Sequence, residues 1–247
     1  MTTASLPSPT PGARMLYLIL RKATATREEL IAHWFARHMP AVIDGMQAMA
    51  SAGKPHAWRY IATLYDPPAT GEHAWDGVAS LWWDQILPTG GVAYGEPPTD
   101  SFQERAMPYS PWATREFVII EGADAIRVEP STLGTPFPCT RSGFVKISFL
   151  VQARPGVDHK AFHDHWLREH VPNVRSVLAK TGGLRYAVSL SIEPEKAPFS
   201  GLAEIWFSSD ADWQQYRQTI RPDGMERYVD PQHTLVMRST TEMIGIA

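Results

Sequence analysis

The line His33-Trp34-(x)3-His38-Met39-Pro40 returns as His165-Trp166-(x)3-His170-Val171-Pro172, 132 residues later and without a gap. Tryptophan and histidine are uncommon residues, and a proline closes both copies at one offset. The chain therefore reads as one structural unit written twice, and a repeat of this length constrains the fold before any single element does.

The elements around each copy follow one order. In the first, the apolar run Met15–Leu20 predicts a buried strand. Thr26 with Glu29 three residues on predicts a capping box, and a helix follows to about Met39, where Pro40 marks its exit. Residues 58–65, 78–83 and 117–120 read as further strands. In the second copy, residues 144–151 form a strand and Asp158 caps a helix to about Val171. Residues 184–192, 202–207 and 234–237 are strands, and Asp210 or Asp212 opens a helix through Trp213 and Tyr216.

Pieces beyond the helix also match. Trp58-Arg59-Tyr60 answers Leu184-Arg185-Tyr186, residues 79–83 answer 203–207, and Phe117–Ile119 answer Leu235–Met237. The order is βαββαβ, a ferredoxin-like unit with helices on one face of an antiparallel sheet. Both faces of the strands are apolar, so the two bare sheet faces are expected to meet within the chain. The expected division is a flexible tail over 1–14, a first unit over 15–130, a linker over 131–143 and a second unit over 144–247. The first unit carries an irregular segment near 84–113, rich in Pro and Gly, which breaks its second helix and suits a pocket lid.

Composition narrows the classes. Hydrophobic residues are 44% and charged residues 20%, ordinary for a globular protein with a core. A net charge of −3 without a basic stripe argues against nucleic acid as partner. No run approaches the length of a membrane span. Cys139 is the one cysteine, which fits a cytoplasmic location and excludes an internal disulfide. P-loop, G-x-G-x-x-G, H-E-x-x-H, G-x-S-x-G and C-x-x-C motifs are absent, so nucleotide cofactors and serine-hydrolase chemistry are not suggested.

The pattern of strand, basic residue, helix, Trp-(x)3-His-x-Pro and Arg-Tyr strand resembles EthD-domain proteins of the dimeric α/β-barrel superfamily. It runs through Lys22, Trp34, His38, Pro40 and Arg59-Tyr60, and again through Arg154-Pro155-Gly156, Phe162, Trp166, His170, Pro172 and Arg185-Tyr186. The second copy is the fuller one. The resemblance implies an α+β fold: two ferredoxin-like βαββαβ units in tandem, their sheets packed into an intramolecular dimeric α/β-barrel-like fold. It implies a barrel used as a pocket for phenolic or polyketide-like compounds, with haem enzymes and quinone-forming monooxygenases among the relatives.

On each helix an apolar stripe ends in histidine: Leu30, Trp34, His38 and Phe162, Trp166, His170. A partly desolvated, neutral imidazole there suits general base chemistry, and Tyr60 and Tyr186 are the candidate donors to an oxyanion. His38, His170, Tyr60 and Tyr186 are thus the expected catalytic groups. His33, His165, Arg59, Arg185, Trp82 and Trp206 are the expected substrate-binding groups. A structural role, with each His bonding last-turn carbonyls, is the competing reading. His159, His163 and His170 share a helix face, but no carboxylate completes a set, and no metal site is expected.

These residues predict a cofactor-free enzyme of the lyase, decarboxylase, dehydratase or cyclase type. It acts on a hydroxylated aromatic compound through His acid/base chemistry, in catabolism or secondary metabolism. The alternatives are a haem- or oxygen-dependent barrel oxidoreductase and a non-catalytic accessory protein of a degradation pathway. A homodimer of fused barrels is the one further assembly expected.

Overall fold

The computed structural model describes residues 7–68, 74–122, 125–126 and 138–247. Residues 1–6 of the expected tail and 131–137 of the expected linker lie outside them. In chain order the elements are β1 (Ala13–Ile19), α1 (Arg27–His33), α2 (Met39–Ser51), β2 (Ala57–Leu64), β3 (Gly77–Trp83) and β4 (Trp112–Ile120). There follow β5 (Cys139–Arg141), β6 (Val145–Val151), α3 (His159–His165), α4 (Val171–Leu178), β7 (Gly183–Ser191), β8 (Gly201–Phe207), α5 (Asp210–Thr219), β9 (Leu235–Ser239) and β10 (Thr241–Ile246).

The caps are where the sequence places them. The Thr26 hydroxyl accepts from Glu29 N–H at 3.1 Å while Glu29 Oε2 accepts from Thr26 N–H at 2.9 Å, a closed capping box. Asp158 accepts from the backbone N–H groups of Lys160 and Ala161. The second helix of the C-terminal half is capped one residue before its expected acidic start, by Ser209.

Neither proline ends its helix. Residues Trp34–His38 and Trp166–His170 form one π-helical turn each, and the chain continues into α2 and α4. Met39 N–H bonds Trp34 O and Val171 N–H bonds Trp166 O, each spanning five residues. Pro40 and Pro172 then fall in the first turn of the next segment, where a missing N–H costs little. A π turn inside a helix takes in one extra residue, and such turns are frequent at functional sites. Here the repeated motif occupies both.

Two compact units result, and they do not follow a linear cut. The N-terminal unit holds residues 11–113, 138–142 and 239–247; the C-terminal unit holds 7–10, 114–122 and 143–238. Strand order is β5-β10-β2-β3-β1 in the first and β4-β7-β8-β6-β9 in the second. The pairings β1·β3, β2·β3 and β2·β10, with β6·β8, β7·β8 and β4·β7, are all antiparallel. The class is α+β, with a helix following β1 in one antiparallel set and β6 in the other, as expected. Among the described residues the C-terminal unit has a helix, α5, after β8; after β3 the N-terminal unit has irregular chain in its place, whose Gly90, Gly91 and Gly95 take positive φ.

The registers of the two units coincide. Ala13 faces Trp83 as Val145 faces Phe207. The strand laid on β2 comes from the chain's end, with Ile244 opposite Ile61 and Ile246 opposite Tyr60. The strand laid on β7 comes from mid-chain, with Val118 opposite Ala187 and Ile120 opposite Tyr186. Both carry an irregularity at the same step. This corrects the expected match of Phe117–Ile119 with Leu235–Met237: by pairing partner, Val118 corresponds to Ile244. Apolar triplets look alike on paper, whereas register is set by the face each side chain must bury.

Candidate functional site

Each unit holds one cleft between its helix stripe and its sheet, and the two are lined at equivalent positions. In the N-terminal cleft these are Tyr17, Trp34, His38, Val42, Tyr60 and Leu81. In the C-terminal cleft they are Phe149, Trp166, His170, Val174, Tyr186 and Ile205. Strand residues two apart share a sheet face, and the π turn keeps Trp, His and Val of the helix on one stripe facing it.

The indole of each stripe sits over a glycine. A Cβ on Gly77 would lie 2.5 Å from Thr63 O and 3.1 Å from the Trp34 ring; one on Gly201 would lie 2.9 Å from both Ser189 O and the Trp166 ring. The first residue of β3 and of β8 is therefore glycine because the indole needs that space.

At the inner end the clefts differ. Trp34 Nε1 donates to Tyr60 Oη at 2.9 Å. Trp166 Nε1 and Tyr186 Oη hold the same two places and interact with each other, in a looser geometry than the N-terminal pair. The N-terminal cleft measures about 230 Å³, narrowed by Tyr94, Phe102 and Tyr109, and the C-terminal cleft about 410 Å³.

Each histidine is backed by a carboxylate. His38 Nδ1 lies 2.6 Å from Asp100 Oδ2, and His170 Nδ1 lies 2.8 Å from Asp223 Oδ2. An ionised carboxylate only accepts, so Nδ1 carries the proton and Nε2 of the neutral ring keeps its lone pair. The carboxylates are themselves held. Asp100 Oδ1 accepts from Gln103 N–H at 2.8 Å. Asp223 accepts from Asn173 Nδ2 at 2.6 Å and from Met225 N–H at 3.1 Å. Burial opposes ionisation of both acids. For Asp100 the hydrogen bond from His38 and the backbone N–H groups of Gln103 and Phe102 outweigh it; for Asp223 the bond from Asn173 and the charge and bond of His170 do. Both carboxyls are held below the usual range.

The two aspartates reach their places by one route. Lys22 N–H bonds Arg105 O and Met107 N–H bonds Leu20 O, both at 2.7 Å; Arg154 N–H bonds Tyr228 O at 2.7 Å and Asp230 N–H bonds Gln152 O at 2.8 Å. Residues 100–107 are thus the counterpart of 223–230. That stretch of the supposed 84–113 insertion is part of the repeat, and Phe102, Gln103 and Tyr109 line the cleft.

The structure brings His38 together with Tyr60, and His170 with Tyr186. His33 and His165 flank the clefts without lining them. His33 Nδ1 is 2.8 Å from Ser101 Oγ, and His165 lies beside Tyr228 with Nε2 3.9 Å from Asp223 Oδ1. Arg59, Arg185, Trp82 and Trp206 line neither cleft. They occupy strand positions adjacent to Tyr60, Tyr186, Leu81 and Ile205, so they project from the opposite sheet face. There the Arg59 guanidinium stacks on Trp58 and Trp82, and Arg185 stacks on Trp206 and bonds Glu121.

Sequence reading missed Asp100, Asp223 and Asn173. One signal was present: Asp100-Ser101-Phe102 answers Asp223-Gly224-Met225, with polar acid, small residue and apolar cleft residue in the same order. Among the described residues no group of three or more His, Cys, Asp or Glu is arranged for a metal ion. No helix of those residues is long and apolar enough to cross a membrane.

The EthD domain model matches residues 154–233, in the C-terminal unit, the copy in which the motif is fuller. No curated protein matches the chain. Among solved structures, a mutant chlorite dismutase from Candidatus Nitrospira defluvii is similar at 8% identity, covering 93% of this chain and 92% of that one, with a TM-score of 0.46. The same enzyme in complex with imidazole is similar at 8% identity, 92% and 90% coverage and a TM-score of 0.46. A haem-binding protein from Thermus thermophilus is similar at 11% identity, 98% and 95% coverage and a TM-score of 0.38. These findings correct the expectation of a cofactor-free lyase- or cyclase-type enzyme: the similar structures are chlorite dismutases and a haem-binding protein.

Proposed function

We propose that the C-terminal cleft is the working site of this chain, that it holds a flat and largely apolar group against His170, and that haem is the group its chemistry suits. The observation that carries this is the bond from His170 Nδ1–H to Asp223, which leaves Nε2 as the free donor of a ring that lines the cleft. A histidine that ligates a metal characteristically gives its other N–H to a carboxylate, which fixes the tautomer and strengthens the donor.

The residues present fit such a group. His170 would hold such a group through Nε2. Trp166, Val174, Trp213, Tyr216 and Met225 form an apolar wall. Arg217 stands at the lining as a cation for a carboxylate side arm. Haem, when bound, supplies one-electron and oxygen chemistry, which points to an oxidoreductase. The chain's own part is to hold the imidazole in one tautomer through Asp223, to hold Asp223 through Asn173 and Met225 N–H, and to exclude water with aromatic walls. An aromatic small molecule is the second partner this lining suits, in a cytoplasmic protein of one free cysteine. The N-terminal cleft, narrower and internally bonded, is the retained copy.

Addition of hemin to the purified chain is the test. A Soret band that appears with wild type and is lost in His170→Ala supports the reading; a band unchanged by that substitution overturns it.

A further inference from the structure

We infer that the N-terminal cleft is a cage for a small organic cation of the quaternary ammonium class, held against the rings of Tyr17, Tyr94 and Tyr109. The inference concerns the cleft that the haem reading leaves aside and does not rest on that reading.

The three phenols line the cleft and pack on one another. Tyr94 and Tyr109 are stacked, with centroids 5.8 Å apart and planes at 22°. Tyr17 stands across both, at 71° and 88°. The rings are anchored. Tyr94 N–H bonds Tyr109 O at 2.8 Å, Tyr109 N–H bonds Tyr94 O at 3.1 Å, and Gln103 Nε2 donates to Tyr109 Oη at 3.2 Å. A wall fixed in advance loses little freedom when a ligand arrives. Tyr94 nevertheless stays 50% exposed while lining the cleft, so it stands at the mouth as a ring open to contact.

Charge decides what that wall contacts. The face of an aromatic ring is the negative part of its quadrupole and attracts a cation. Among the described residues no lysine or arginine lines this cleft. The Lys22 ammonium is taken up by the carbonyls of Gln103 and Glu104. The ionised Asp100 carboxylate bears on both Tyr60 and Tyr109. Burial, and after it Asp100 and Tyr94, push the Tyr109 hydroxyl up to about 12, so it meets a ligand as a neutral phenol. A quaternary ammonium carries charge without N–H groups, so it needs no acceptor, and its methyl groups suit Met46 and Leu81 beside the rings.

The C-terminal unit lacks these parts. Phe149 faces Ala203 where Tyr17 faces Ala79, α5 follows β8 where the chain bearing Tyr94 and Tyr109 follows β3, and Arg217 lines the cleft. The two copies diverge where the cage is built.

The test sets choline against 3,3-dimethylbutan-1-ol, which has the same shape with carbon in place of the charged nitrogen. Binding of each to the full chain is followed by ligand-observed NMR titration. Desolvation favours the neutral alcohol, so tighter binding of choline requires a site that attracts charge. Wild type is expected to prefer choline about tenfold, with the preference lowered about two- to fivefold in Tyr94→Leu and kept in Tyr94→Phe. Asp100→Asn lowers it as well. Both lowering variants keep the circular dichroism of wild type and its affinity for the alcohol within about twofold, which shows that the cleft is still formed. Tyr216→Leu, in the other cleft, leaves the preference intact. Absence of choline binding, equal or tighter binding of the alcohol by wild type, or a preference that survives both Tyr94→Leu and Asp100→Asn overturns the inference. So does a preference lost in Tyr216→Leu.

Discussion

His170 and Asp223 stand 53 residues apart in sequence and 2.8 Å apart in space, and the same relation joins His38 to Asp100 at 2.6 Å. A pair built twice by one backbone route is a property of the fold unit. What each unit does with it depends on the cleft in front of the ring, about 230 Å³ in the N-terminal unit and about 410 Å³ in the C-terminal one.

Asp223→Asn is the sharpest change to this pair. The amide can present its NH2 group to Nδ1, which moves the proton to Nε2 and removes the lone pair from the cleft. Hemin affinity is expected to fall about ten- to a hundredfold, as for loss of other metal-site carboxylates. Circular dichroism should remain that of wild type. Unchanged hemin affinity would separate Asp223 from the function of His170.

The paired carboxylates predict an acid limit. Both folded-state pKa values are depressed, so their contribution to stability is fully present above the unfolded value of about 3.9. It is lost as pH falls through the lower folded-state values. Urea midpoints measured between pH 6 and pH 3 should decline at the acid end, and Asp100→Asn with Asp223→Asn together should flatten that decline. A double variant with the wild-type slope would remove these residues from the acid response.

The Trp–Tyr pairs predict unequal effects of one substitution. Tyr60→Phe deletes a formed bond and leaves the buried Trp34 N–H open, so it is expected to cost about 1–3 kcal/mol. Tyr186→Phe deletes a hydroxyl whose contact with Trp166 is looser than the Trp34–Tyr60 bond, so it is expected to cost less than Tyr60→Phe. Equilibrium urea unfolding of the two variants reads the difference directly. Equal losses would mean that the two Trp–Tyr pairs are bonded alike.

Gly77 and Gly201 predict a steric penalty. Alanine at either position pushes a methyl group against strand backbone and a buried indole. Each is expected to lower stability by about 1–3 kcal/mol, the usual cost of overpacking. Gly201→Ala should also shift the near-ultraviolet signal of Trp166. A variant as stable as wild type would show that the indole has room to move.

Much of this was legible in the chain. The gapless repeat of His, Trp and Pro gave the two units, and the alternation around Tyr60 and Tyr186 gave the cleft faces. The capping signals at Thr26 and Asp158 gave the helix starts. What escaped were relations that need the third dimension. Pro40 and Pro172 read as helix stops because the π turn that accommodates them leaves no trace in hydrophobic period. The strand Thr241–Ile246 was overlooked because its apolar triplet pairs with β2, at the far end of the sequence. The aspartates hid in loops of unlike composition, one rich in Pro and Gly, the other following a helix. Trp82 and Trp206 looked like pocket walls, yet strand parity sends them to the face where cations stack on them.

The most direct test of the central claim is a hemin titration, by absorbance, of wild type, His38→Ala and His170→Ala side by side. The account predicts one equivalent bound by wild type and by His38→Ala, with the Soret band lost in His170→Ala. Wild-type binding by His170→Ala, or loss of the band in His38→Ala alone, would contradict it.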